Sequence, residues 1–308
     1  MAKQAGKQTW RKKLGNLYGY LFVAPIVGMW LIFGAYPYVR GILIALQDYR
    51  LMERQSWSFF NSFIGFANFI ELLQDPRVWQ GVKASALLYV SVYPFVAVLA
   101  LFTAVVLNRV KTSGLATVYR VLITLPWVIP VATSMPMWLQ IYEPNYGYLN
   151  HFLSEVLKIW PDPPAWTSSA SWYWPAIGLA CIWKSFGHNA LLFLIGLYNI
   201  PSELYEAARL DGANSWQEFR FIELPGIRNI MLLFIVTHVA FLGAGMVEMM
   251  TFGEGPANIG KTLALYGWQQ AFQGNARLGY GAAMALFAGL VNLGLVTIVF
   301  KFFKSEKA

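Results

Sequence analysis

Apolar residues fall along the chain in six runs, at 17–39, 84–107, 118–141, 174–199, 229–252 and 281–303. Each is long enough to cross roughly 30 Å of hydrocarbon as a helix of about 20 residues. Lipid offers backbone N–H and C=O groups no partner, so uninterrupted runs of this length predict helices, and the short alternating strands of a barrel are not seen. The pattern predicts an all-α, polytopic membrane protein with six transmembrane helices: a tail at 1–16, one membrane domain at 17–303 and a second tail at 304–308. Pro25 and Pro37 in the first run, Pro94 in the second, and Pro126, Pro130 and Pro136 in the third would break soluble helices but are tolerated inside a bundle. The first run follows Lys3, Lys7, Arg11, Lys12 and Lys13 and is too long for a usual signal-peptide core, so it reads as a retained transmembrane helix.

Composition agrees with a chain that faces lipid. Of 308 residues 57% are hydrophobic and 12% charged, against about 25% charged in an average soluble domain. The net charge of +8 would suit a nucleic-acid binder if it formed a patch. Instead the two tails and the 108–120 link, with Arg109, Lys111 and Arg120, hold eleven basic residues and one acid. With six helices these segments share one side of the membrane, and the positive-inside rule makes that side, with both termini, cytoplasmic. The charge reports topology, so no nucleic-acid partner is expected. By the same parity the 201–228 link is cytoplasmic, and 40–83, 143–172 and 253–280 lie outside. The single Cys181 excludes an intramolecular disulfide, and His151, His188 and His238 are scattered, so no metal site is expected.

The 201–228 link is too organised for a plain connector. It predicts two short helices. Ser202 is placed to cap the first, with Glu203 in its opening turn, and Asp211-Gly212 stops it, Gly212 suiting a left-handed position. Ser215 and Glu218 have the spacing of a capping box for the second, which Leu224-Pro225 would end. Such a cytoplasmic knob suits docking of a helix into a partner's groove; the alternative is a surface helix lying among lipid headgroups.

Glu206-Ala207-Ala208, Asp211-Gly212-Ala213, Phe219, Ile222 and Leu224-Pro225 resemble the EAA loop of ABC-importer permeases nearly position for position. The resemblance covers nearly the whole chain and narrows to the maltose-type and glycerol-phosphate-type carbohydrate permeases. Tyr36-Pro37, Ile64-Gly65-Phe66-Ala67-Asn68-Phe69, Asp75, Trp79, Gly147-Tyr148-Leu149-Asn150 and the 253–280 segment are similar to further landmarks of that group. Phe252 and Glu254 stand where its usual glycine-rich run has Thr and Gly. The resemblance implies a type I ABC-importer transmembrane domain whose EAA loop is the coupling element seated on a separate ATPase. Glu206 and Gly212 would be central to coupling, with Ala207, Ala208, Asp211, Ala213, Phe219, Leu224 and Pro225 around them. Also implied are a second related permease forming a heterodimer, two cytoplasmic ABC ATPase subunits, an extracytoplasmic solute-binding protein and a bacterial or archaeal cytoplasmic (inner) membrane. No cofactor is expected on this chain, ATP and magnesium belonging to the ATPase.

Residues 255–262 satisfy the G-x-x-x-x-G-K-T phosphate-loop pattern, but the preceding apolar run and the external side make the wrong context. Lys184, mid-run in the fourth span, is a functional candidate because charge at that depth is rare. Trp183, His188 and Asn189 could line a solute path with it, and Glu248 could face the same cavity; a polar clamp between helices is the alternative. His238 is expected to satisfy an interhelical hydrogen bond. No catalytic grouping emerges, so the chain is expected to transport rather than catalyse. The expected function is ATP-driven, receptor-dependent import of a sugar, oligosaccharide or related polyol such as a glycerol phosphate, by alternating access. An autonomous channel or ion-coupled secondary transporter is the rival reading.

Overall fold

The computed structural model describes residues 19–110 and 113–305. The tail at 1–16, Lys111, Glu306 and Lys307 lie outside the described residues. Among those described the fold is all helical, with isolated β-bridges joining Gln47 to Phe63 and Arg50 to Arg277.

Helix α1, Gly19–Ala45, is apolar and buries nothing within its spanning window, so this face is left for lipid or a partner. Its turn at Leu31–Ala35 widens to a π-turn just before Tyr36-Pro37, where proline lacks an N–H and crowds the carbonyl four residues back. After the short helix α2, Ala67–Gln74, comes α3, Pro76–Asn108. Asp75 caps α3 by accepting the Arg77 amide at 2.9 Å, and Pro76 occupies the first turn, where a missing N–H costs nothing.

Two of the six apolar runs are not single helices, which corrects the expectation of six uninterrupted spans. The third splits into α4, Ser113–Val128, and α5, Val131–Ile141, bent by 93°. Pro126 and Pro130 remove successive donors at the bend. The fourth run is one helix, α6, Tyr173–Tyr198. Beyond the 201–228 link, the fifth run forms α9, Arg228–Val239, a 3₁₀ turn at Phe241–Gly243, and α10, Met246–Phe252. Gly245, at φ +78°, makes the left-handed joint before α10. The segment 253–280, expected as an outside loop, holds a further helix, α11, Leu263–Phe272. The chain closes with α12, Leu278–Ser305. Four helices, α1, α3, α6 and α12, are long and apolar enough to span a membrane alone.

The core lies along α3 and α6. Leu88, Val92, Val96, Ala100 and Ala104 recur every fourth residue of α3 and are buried, forming one ridge that packs on Ile177, Ala180, Phe193 and Leu194 of α6. Small residues let backbones approach closely where apolar surface gains nothing over lipid. At Gly187 a Cβ would overlap the Ile123 carbonyl of α4, so only glycine fits that crossing.

Outside the membrane, a buried carboxylate ties three elements together. Asp75 accepts from the hydroxyls of Tyr266 on α11 (2.7 Å) and Tyr280 on α12 (3.1 Å), and from the Arg77 guanidinium at 3.0 Å. Burial opposes its charge, but the hydrogen bonds of Arg77, Tyr266 and Tyr280 outweigh it and hold the carboxyl down at about 2.

Candidate functional site

The 201–228 link folds into the expected pair of helices, α7, Ser202–Leu210, and α8, which begins at Ser215–Glu218. Their caps differ from expectation. Pro201 holds the N-cap position of α7, and Ser202 is its first residue without a capping bond, because Pro201 sits in extended backbone suited to that boundary. The capping box of α8 is shifted by one. Asn214 Oδ1 accepts the Trp216 and Gln217 amides at 3.0 Å each, and Gln217 Oε1 accepts the Asn214 amide at 2.7 Å. The N-x-x-Q spacing carried that signal in the sequence. The shift releases Glu218 to take Arg209 at 2.7 Å. Pro225 does not end the helix: α8 continues through a π-turn at Phe219–Glu223 into Leu224–Gly226, where Pro225 lies in a first turn.

Gly212, at φ +82°, terminates α7 in the left-handed region as its sequence predicts. The Ala213 amide reaches back to the Ala208 carbonyl at 2.9 Å and the Gly212 amide to that of Arg209 at 3.1 Å. Around this turn Glu206, Ala207, Asp211, Gly212 and Pro225 are exposed, whereas Ala208, Ala213, Phe219 and Leu224 are half-buried beneath them. The apolar tips of Leu210 (89% exposed) and Trp216 (64%) stand in the open.

Two polar contacts that sequence reasoning missed fix this knob to the membrane helices. Arg109, just past the end of α3, donates to the Ser215 carbonyl at 3.4 Å and lies 3.9 Å from the Glu223 carboxylate. Glu223 is 1% exposed; burial pushes its carboxyl up, Arg109 partly opposing. The partners are far apart in sequence, so no local spacing announced them. A cavity of 780 Å³ opens between α7, α8 and the ends of α3 and α6.

A second, smaller cavity of 180 Å³ lies mid-membrane among Tyr89, Tyr93, Trp127, Lys184, Ser185 and Glu248. The Lys184 ammonium donates to the Pro126 carbonyl at 3.3 Å and to the Ile129 carbonyl, the groups left unpaired at the α4–α5 bend. Of the five residues expected along the solute path, Lys184 and Glu248 reach this chamber. The other three do not. Trp183 packs edge-on against Trp138, His188 stacks on Trp127 with centroids 4.3 Å apart, and Asn189 is buried and donates to the Ser185 carbonyl. One turn of helix between Lys184 and His188 did not suffice to place both on one wall. Among the described residues His238 makes no interhelical hydrogen bond, contrary to expectation: its Nδ1 bonds the Phe234 carbonyl of its own helix at 2.7 Å, with the ring against Tyr93.

The 255–262 pattern is a structural turn with no preceding strand. A Cβ at Gly255 or Gly260 would strike the Tyr173 ring. Lys261 pairs with Glu254 at 2.8 Å, and Thr262 caps α11 through the Leu265 amide. The glycines thus admit an aromatic ring, and the lysine and threonine that resemble phosphate ligands are already engaged. No cluster fit to hold a metal occurs among the described residues.

Broken helices around a polar chamber, with a two-helix knob braced to a spanning helix, are the arrangement of a membrane transport component. The sequence profile of the "Binding-protein-dependent transport system inner membrane component" family matches residues 96–304, and the chain belongs to that family. It is 34% identical to the probable ABC transporter permease YesP of Bacillus subtilis, over 92% of this chain and 89% of that one. The lactose transport permease LacF of Rhizobium radiobacter is 29% identical over 89% and 90%. The sn-glycerol-3-phosphate permease UgpA of Yersinia pestis is 27% identical over 92% of each. In structure, a chain of a bacterial ABC transporter that imports the acidic polysaccharide alginate superposes with a TM-score of 0.81 at 22% identity, covering 97% of this chain and 99% of that chain. That likeness is one of fold, the type I ABC-importer transmembrane domain. The protein is a multi-pass permease of the inner membrane and a transport component rather than an enzyme.

Proposed function

We propose that this chain imports a sugar, oligosaccharide or related polyol by alternating access, as one half of a membrane heterodimer with a second related permease. Two cytoplasmic ATPase subunits, holding ATP and magnesium, drive it through the 201–228 loop, and an extracytoplasmic solute receptor delivers the cargo. Both termini face the cytoplasm, as the basic segments require. One observation carries the reading: Glu206, Ala207, Asp211 and Gly212 form an exposed surface on a knob that Arg109 braces to α3. Force applied there reaches the helix lining the mid-membrane chamber without being absorbed by a flexible loop. Lys184 and Glu248 face the solute route in this reading.

Glu206→Lys reverses a charge on the docking surface, and Gly212→Pro cannot adopt the left-handed turn. Both variants are expected to insert normally and to lose ATP-driven solute uptake in proteoliposomes. Normal uptake together with unchanged ATPase co-purification in both would refute the coupling role.

A further inference from the structure

Helix α2 is packed inside out for a segment in water. It buries Asn68, 2% exposed, and turns Phe66 at its N-cap, Ile70 and Leu73 outward, 70%, 56% and 55% exposed. These three are spaced i, i+4 and i+7, so they form one apolar stripe along the helix. Trp57 and Phe60 in the preceding turn are exposed as well. Contiguous apolar surface of this kind marks contact with a partner or a membrane.

Hydrogen bonds set the depth of the stripe. Asn68 Nδ2 donates to the carbonyls of Ala45 and Gln47 at 2.9 Å each, closing groups that α1 leaves open at its end. In the first turn of α3, the Trp79 indole N–H donates to the Leu73 carbonyl at 3.0 Å. Helix α2 therefore lies level with the ends of two helices that are each long enough to span a membrane, where the hydrocarbon gives way to headgroups. Its roll is fixed too. Glu71 accepts both ends of the Arg277 guanidinium at 2.7 and 2.6 Å, and Leu72 is buried, which holds the stripe outward.

The stripe continues onto a spanning helix. Trp79, Leu87 and Val90 are exposed along one side of α3, in the order of an interfacial aromatic followed by aliphatic side chains. Lys83, between them, is exposed and in no ion pair among the described residues. Helical side chains lean toward the N-terminus of their helix, so this ammonium reaches back toward the level of α2, where lipid phosphates would meet it. A soluble partner would fit the apolar stripe, but not its continuity with an exposed aliphatic side of a spanning helix.

We propose that α2 is an interfacial helix whose Phe66, Ile70 and Leu73 enter the headgroup–acyl boundary of the phospholipid bilayer.

A fluorophore on the stripe distinguishes lipid from water and from protein. In the assembled importer in phospholipid nanodiscs, with Cys181→Ala removing the only cysteine, bimane is attached at Ile70→Cys. A nitroxide on the fifth carbon of the lipid acyl chain is expected to quench it about twofold, and more strongly than a nitroxide near the chain end, because an interfacial helix sinks only about 5–10 Å into that boundary. Iodide in the buffer should quench it far less than it quenches free bimane. Leu73→Cys is expected to give the same pattern, which guards against a defect peculiar to one site. Iodide quenching equal to that of free bimane, without a lipid effect, would overturn the proposal and leave the stripe to a soluble partner. Shielding from iodide and from both lipid nitroxides would overturn it in favour of a protein neighbour.

Discussion

Lys184 shows how much one side chain's meaning depends on what it touches. A lysine mid-span reads from sequence as a candidate solute contact, and the structure gives it a second task, closing the carbonyls that two prolines leave open at the α4–α5 bend. Lys184→Met is expected to cost about 1–3 kcal/mol, the usual range for buried acceptors left unpaired. Lys184→Arg should recover part of the loss. Thermal unfolding of the detergent-purified protein measures both. Glu223 and Arg109 should respond unequally. Glu223→Gln removes a buried charge and is expected to leave stability near neutral, because a desolvated carboxylate 3.9 Å from its partner gains little. Arg109→Ala strands that carboxylate, so a lower melting temperature than for Glu223→Gln is expected on the same assay.

Among the elements, the Asp75 latch and the glycine turn have distinct requirements. Asp75 joins α3, α11 and α12, and its carboxyl is held down at about 2 against an ordinary value near 4. A depressed carboxylate contributes stability in full above its unfolded value and loses it as pH falls through the folded one. The contribution, about 2 kcal/mol by that linkage, is therefore present from neutrality down to about pH 4 and disappears toward pH 2. Unfolding followed against pH should show that step in the native chain and lose it in Asp75→Asn. In the turn at 253–262, Gly260→Ala pushes a methyl group into Tyr173 and is expected to impair folding. Lys261→Ala removes a partly exposed ion pair worth less than about 1 kcal/mol. A nucleotide affinity that Lys261→Ala abolished would contradict this reading of the turn.

The whole molecule separates what long apolar runs specify from what only packing specifies. Helical character and the long apolar runs were legible because the bilayer imposes them on composition and length alone, and the two-helix 201–228 link was legible from its local turn and capping residues. The left-handed turn at Gly212 was legible because its backbone requirement is local. The breaks in the third and fifth runs were not: prolines 94, 126 and 130 look alike in a linear sequence, but Pro94 lies within a continuous α3, whereas the break falls at Pro130. Which prolines bend a helix depends on which neighbours can satisfy the freed carbonyls, and that neighbour is Lys184, more than fifty residues away. Reporter fusions at each terminus are expected to show both in the cytoplasm; an external terminus would contradict the six-crossing topology.

The sequence by itself determined the membrane class, the family resemblance and the paired helices of the 201–228 link, since each rests on local composition or contiguous motif. Tertiary structure alone decided which polar residues share a chamber. It separated Lys184 and Glu248 from Trp183, His188 and Asn189, and it joined Arg109 to Glu223 and Asp75 to Tyr266 and Tyr280. Those pairings form between helices remote in the chain, where crossing geometry, not spacing along the sequence, sets which side chains meet.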